Sequence, residues 1–213
     1  LRASATAAML LDAGAAEILA VREVTEARAA RGEFSDALLY GERGGLPPEG
    51  FDFGNSPRTV DAARGRRVIF TTTTGAGRLV DCWGAEAAYM GSTVNAAAVV
   101  RAAARHGKDV VLIPAGLMSD PGFNAQEDWV AAVVIAMRAG GALGEGAGAF
   151  CAWRERIEHE GIESLFQTAP HALKLRRVGL GDDITFCAQV DITTAVPRAV
   201  LRHPLGVILR DGR

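Results

Sequence analysis

Two polar runs hold the groups in this chain most able to do chemistry. The first is Gly41-Glu42-Arg43-Gly44-Gly45, followed by Gly50-Phe51-Asp52-Phe53-Gly54-Asn55-Ser56-Pro57. It sets a carboxylate, a guanidinium and an amide among glycines that let backbone come close to a ligand. The second is Thr71-Thr72-Thr73-Thr74-Gly75, directly after the apolar Val68-Ile69-Phe70. Hydroxyls and free backbone N–H groups at a strand-to-helix junction suit an anion of phosphate type. The same threonines also suit a strand end, with Thr74 as a simple cap. The GxxxxGK[ST] spacing of a P-loop and its lysine are absent.

Leu1-Arg2-Ala3-Ser4-Ala5-Thr6 adds a guanidinium and hydroxyls at another such junction. Arg2 suits forked contact with phosphate or sulfonate, or it is a surface arginine beside a Ser cap. Glu42 can bind a hard cation such as Mg2+ and Arg43 can neutralise an acidic substrate. A local ion pair stiffening the turn fits them equally. Glu127 and Asp128 fall in the first turn of a helix, where the helix dipole alone favours acids. As functional groups they would bind metal or activate water, with the loop over residues 114–123 folding across them. Asp182, Asp183, Cys187, Gln189 and Asp191 surround the apolar residues 184–188, with Cys187 and Gln189 on one face of a strand. His106, His159, His171 and His203 lack metal-motif spacing and are expected on surfaces. The glycines at 141, 144, 146 and 148 miss the GxGxxG spacing. No Cys-x5-Arg, Asp-x-Asp-x-Thr or GxSxG pattern appears, which removes the common covalent phosphatase and acyl-serine mechanisms.

The elements that must position these groups alternate. Helices are expected over residues 5–13, 25–31 (capped by Thr25), 75–82, 95–106 (capped by Asn95), 151–160 and 163–179. Another spans 124–138, with Asn124 as cap and Glu127 completing a capping box. Strands are expected over 17–21, 36–40, 67–72, 86–90, 109–113, 184–190 and 205–209, and a glycine-rich break over 140–148. Strands separated by helices predict an α/β fold, its largely parallel sheet covered on both faces. Ligands in such sheets bind beyond the carboxyl ends of strands. The polar loops after Tyr40, Phe70 and Ile113 all occupy that position.

A length of 213 residues suits one domain, and 49% hydrophobic residues supply a sizeable core. A formal net charge of −2 makes no case for nucleic acid or membrane partners. No apolar run reaches the roughly 18–20 residues that span a bilayer, and no signal-peptide pattern is visible. Cys82, Cys151 and Cys187 lie far apart without CxxC spacing, as free thiols of a reducing cytosol do. A cytoplasmic location is therefore expected. The opening Leu1-Arg2-Ala3-Ser4 reads as the exit from a strand into a helix, so an upstream strand is expected too.

These motifs, in this order, resemble the 2-phosphosulfolactate phosphatase family, the ComB-like proteins of coenzyme M biosynthesis. The likeness runs end to end through Leu1-Arg2-Ala3-Ser4, the 41–45 and 50–57 loops and the threonine run. It continues through Gly91-Ser92-Thr93-Val94-Asn95-Ala96, Glu127-Asp128 and the run from Asp183 to Asp191. The resemblance implies a three-layer α/β/α fold with a largely parallel or mixed sheet and two intertwined similar halves. It implies a Mg2+-dependent phosphatase converting 2-phospho-3-sulfolactate to 3-sulfolactate and phosphate, working as a homodimer on a small anionic phosphorylated substrate. Arg2, Ser4, Ser56, Thr72, Thr73, Thr74, Gly75 and Asn95 would then hold phosphate or sulfonate, and Arg43 and Asn55 would shape the substrate end. Glu42, with Glu127 or Asp128, would hold Mg2+, and Glu42, Asp128 and Arg2 would act in catalysis. The sequence departs from the family at Thr74, where Asn is usual, and at Ala76, where Thr is usual. The family's Asp-Val before the Leu-Arg of the first motif is not in this sequence.

Overall fold

The computed structural model describes residues 1–116, 120 and 122–213. One mixed sheet has the order β2-β3-β1-β5-β4. Its strands are β1 (Glu17–Val21), β2 (Leu38–Gly41), β3 (Arg67–Thr71), β4 (Pro197–His203) and β5 (Gly206–Asp211). β2, β3 and β1 run parallel, and β5 pairs antiparallel with both β1 and β4.

All five residues of β1 are buried, and after Glu17 the strand reads as an apolar run, Ile18 to Val21, rather than an alternating one. Successive side chains point to opposite faces. Ile18 and Ala20 pack with Val68, Phe70 and Leu209 against Leu10 and Leu11 of α1 (Ala3–Asp12) and Leu79 of α3 (Gly75–Asp81). Leu19 and Val21 pack with Leu39, Ile69 and Ile208 against Ala27 and Ala30 of α2 (Val24–Glu33). The result is the expected three-layer α/β/α arrangement. A further helical cluster comprises α4 (Ala96–Ala104), α5 (Gln126–Ala139), α6 (Ala147–Glu160), α7 (Ile162–Thr168), α8 (Pro170–Arg177) and α9 (Asp182–Ala188). Its core includes Val94, Val99, Val130, Val134, Leu165, Phe166 and Ile184.

Among the described residues every strand comes from residues 17–71 or 197–211, and the elements between are helical. That order builds one sheet from the two ends of the described chain. Residues 184–190, expected as a strand, start as helix α9 instead. Asp182 and Asp183 occupy its first turn, and burial of Ile184 and Cys187 against the helical cluster decides the matter. A short apolar run cannot be told from a buried helix by periodicity. Residues 86–90 run beside β4 with one isolated bridge, Tyr89 to Arg198, and form no full strand. Residues 109–113 are not a strand either. They have no ladder partner among the described residues, and Val110, Val111 and Ile113 are exposed. β4 itself was not foreseen; it forms a hairpin with β5 across His203-Pro204-Leu205-Gly206.

Several caps also differ from expectation. Glu23, not Thr25, caps α2 in a reciprocal box with Glu26. Asn95 makes no cap hydrogen bond to α4. The N–H of Ala97 donates instead to Asp191 Oδ1 at 2.7 Å. α5 begins at Gln126 after Ala125, so Asn124 does not cap it and no capping box forms. Among the described residues no helix is long and apolar enough to cross a membrane.

Candidate active site

The parallel register builds the site. Gly41 sits opposite Thr71, and Val21 also sits opposite Thr71. Glu42, Thr72 and Arg22 therefore leave the sheet side by side at its carboxyl end. A Cβ at Gly41 would lie 2.2 Å from the Thr71 carbonyl oxygen, so only glycine allows this approach of β2 and β3.

Glu42 joins the two polar loops. Its Oε1 accepts the Thr73 N–H at 2.8 Å and its Oε2 accepts the Gly45 N–H at 2.9 Å. Gly45 takes φ +96°, a conformation suited to glycine. Burial raises the carboxyl pKa of Glu42, but the two N–H donors, the Thr73 hydroxyl and the nearby Arg2 charge more than offset this and hold it below the usual range. Thr72 is buried, and its hydroxyl accepts the Ala76 N–H at 3.0 Å. Thr72 rather than Thr74 therefore caps α3. Thr74 is buried as N-cap residue without a side-chain cap bond, while Thr73 is exposed at the mouth. Gly75 abuts Ala3 at the start of α1, where a Cβ on Gly75 would meet the Ala3 Cβ at 2.6 Å.

Arg2 is 4% exposed and ties the third segment in. One terminal nitrogen donates to Asp183 Oδ2 at 2.9 Å and the other to the Gly45 carbonyl at 2.9 Å. Asp183 also accepts the Ser56 hydroxyl on Oδ1 at 2.7 Å. Asn55 follows the same path: its carbonyl accepts the Thr6 hydroxyl, and its side-chain Oδ1 is buried without a partner among the described residues. Arg43 is committed to backbone, donating to the Glu42 and Arg22 carbonyls at 2.8 Å each and to the Thr71 hydroxyl. Ser4 lies half-buried in the first turn of α1.

Glu127 Oε1 and Asp128 Oδ1 lie 3.7 and 3.2 Å from the Leu1 backbone nitrogen. Asp128 Oδ2 also accepts the Gly116 N–H at 2.9 Å. Glu127 is fully buried, and its Oε1 lies 2.5 Å from His171 Nδ1. Burial disfavours the ionised form of Glu127, and the hydrogen bond from His171 opposes this and favours the carboxylate. Of the loop expected over these acids, residues 117–119 and 121 lie outside the described residues. At its described ends, the Ala115 carbonyl accepts Arg78 Nε and the Phe123 ring packs on His171.

The structure thus joins Arg2, Glu42, Ser56 and Thr73 in one hydrogen-bonded set, with Asn55 and Thr72 to Gly75 beside it. It does not bring Asn95 there. That side chain is 0% exposed and spends its groups on the Ser92 N–H and the Met90 and Ala195 carbonyls. Among the described residues no three metal-binding side chains converge, so Glu42 does not share a cluster with Glu127 and Asp128. Two further residues contact these candidates: Asp183, which accepts from Arg2 and Ser56, and His171, which binds Glu127. Asp183 had a signal, paired acids before an apolar run, the mark of a helix start. His171, expected on the surface, had none, because Glu127 lies 44 residues away.

Cys187 is 1% exposed in the helical cluster, and burial pushes its thiol up to about 12. It is no nucleophile at neutral pH. Native thiol labelling followed by peptide mapping should modify the exposed Cys151 and spare Cys187.

The family model for 2-phosphosulpholactate phosphatase matches residues 1–201. A protein of Deinococcus radiodurans named probable 2-phosphosulfolactate phosphatase is 38% identical, over 94% of this chain and 85% of its own length. Proteins of the same name are 37% identical in Thermus thermophilus, over 98% and 88%, and 32% identical in Carboxydothermus hydrogenoformans, over 95% and 84%. The polar segments that meet beyond β2 and β3 lie within the matched span, and the chain belongs to the 2-phosphosulfolactate phosphatase family.

Proposed function

We propose that this chain hydrolyses the phosphate ester of 2-phospho-3-sulfolactate, releasing 3-sulfolactate and phosphate, with Mg2+ as cofactor and in a reaction of the coenzyme M biosynthetic type. The observation that carries this reading is the convergence, in a member of this family, of Arg2, Glu42, Ser56 and Thr73 beyond the carboxyl ends of β2 and β3.

Mg2+ keeps several waters and is commonly held by one or two carboxylates plus substrate phosphates. Glu127 and Asp128 fit that demand. They are adjacent in the first turn of α5, and Glu127 Oε2 is buried with no partner among the described residues. When bound there, the ion would offset charge on the phosphoryl oxygens. The rest falls to the chain. Thr73 presents its hydroxyl at the mouth, while Glu42 fixes the backbone on either side of the pocket. Arg2, spent on Asp183 and Gly45, shapes the loop rather than meeting phosphate head-on. Arg43 braces the Glu42 turn through the Glu42 and Arg22 carbonyls, and a carboxylate of the Glu127-Asp128 pair orients the attacking water. Water adds to phosphorus, the bond from phosphorus to the ester oxygen breaks, and a proton reaches the departing hydroxyl.

Phosphate release from 2-phospho-3-sulfolactate, with and without chelator, tests this against phospholactate, phosphoglycolate and the phosphoglycerates. The sulfonated ester should give the highest kcat/KM, and chelation should abolish turnover. Better turnover of an ester lacking sulfonate overturns the substrate, and turnover unaffected by chelation overturns the cofactor.

A further inference from the structure

We infer that His171 is a positioning residue, fixing the Glu127 carboxylate so that its second oxygen turns toward the bound cation. The inference rests on the metal part of the function proposed above. Glu127 is fully buried, and a carboxylate at that depth needs hydrogen bonds or charge partners to remain ionised. His171 Nδ1 holds Oε1 at 2.5 Å, and Oε2 has no partner among the described residues. A carboxylate is planar, so anchoring one oxygen confines the other to a short arc. The neutral imidazole with its proton on Nδ1 is sufficient for this, and no change of charge is required.

The ring is itself held. His171 is the second residue of α8, behind Pro170 at its start. Phe123 packs on it with centroids 4.6 Å apart and planes tilted 40°. The same helix places Leu175 and Val178 within 3.4 and 3.7 Å of where a Gly45 Cβ would stand. α8 therefore supports Glu127 through His171 and the Glu42 loop through its apolar side chains. Partners that orient a ligating carboxylate typically set metal affinity by about 10- to 100-fold.

Calorimetric titration of Mg2+ into the full chain, without substrate, tests the role directly. His171→Ala removes the donor, and His171→Phe removes it while keeping a ring against Phe123, so at least one variant retains the packing. Both should weaken Mg2+ binding by about 10- to 100-fold and lower kcat while leaving KM for the ester nearly unchanged. His171→Asn, whose side-chain N–H can take the place of Nδ1–H, should recover most of both losses. Wild-type Mg2+ affinity in the Phe variant overturns the inference, and so does an Asn variant no better than Phe. The binding readout needs no turnover. A wild type that binds Mg2+ through His171 but hydrolyses no ester defeats the substrate assignment alone, and an active wild type with indifferent variants defeats this inference alone.

Discussion

Asp183→Asn should lower the melting temperature by about 6–20 °C and reduce kcat/KM on the order of 100-fold. Arg2 and Asp183 are 4% and 1% exposed and bonded at 2.9 Å. Removing one charge of such a pair leaves the other buried and uncompensated, a loss of about 3–5 kcal/mol. In a chain of this size each kcal/mol shifts the midpoint by roughly 2–4 °C. The catalytic loss has a separate origin. Arg2 also holds the Gly45 carbonyl, and Gly45 holds Glu42. A shift of about 1 Å in such a frame can cost on the order of 100-fold in rate. Arg2→Met combined with Asp183→Leu removes both charges and should be more stable than either single variant, since apolar replacement of a buried pair is often nearly neutral. It should stay as inactive as the singles. Thermal melts and steady-state rates on wild type, Arg2→Met, Asp183→Leu and the double variant complete the cycle, with Asp183→Asn measured beside them. A double variant less stable than both singles would refute the buried-pair account.

Glu42→Gln should cost about 1–3 kcal/mol, because the amide nitrogen must face the N–H of either Thr73 or Gly45, donor against donor. Activity should fall on the order of 100-fold as the two loops separate. The loss has a characteristic pH dependence. The folded-state pKa of Glu42 lies below its unfolded value, so its ionisation stabilises the fold above that unfolded value, about 4.3. That contribution disappears as pH falls through the folded pKa. The stability gap between wild type and Glu42→Gln should be constant from pH 6 to 8 and narrow below about pH 4.3. Denaturant melts across pH check this, and a gap that widens on acidification would contradict it.

The sheet was legible wherever the chain buried both faces of a strand. Residues 17–21 and 67–71 read as strands because an apolar run between turn signals has few other uses. The same logic failed at residues 184–190, where α9 buries an equally apolar run against other helices. Caps misled for a related reason. Asn95 is a good capping residue by type, but the donor at the start of α4 is met by Asp191, brought in from across the fold. Glu42, Thr73 and Arg2 could be grouped from the sequence because they sit at strand and helix junctions, which mark themselves by composition. His171 escaped notice because Glu127 lies 44 residues away, a separation at which packing sets the contact, and Asn95 is held elsewhere by Ser92, Met90 and the distant Ala195 carbonyl. Local spacing holds no record of such distant contacts.

The strand order has a consequence for biosynthesis. β5 lies between β1 and β4 in the sheet, yet it follows every other described element in the chain. During translation β1, β2 and β3 can pair once residue 71 has left the ribosome. The other edge of β1 must then wait for residues 206–211. At about 5–20 residues per second, that delay is on the order of ten seconds. Throughout it, the nascent chain shows an open edge carrying Ile18, Leu19 and Val21, the kind of surface that recruits other strands. Chaperone demand and misassembly should therefore concentrate in this interval, before the C-terminal hairpin closes the sheet.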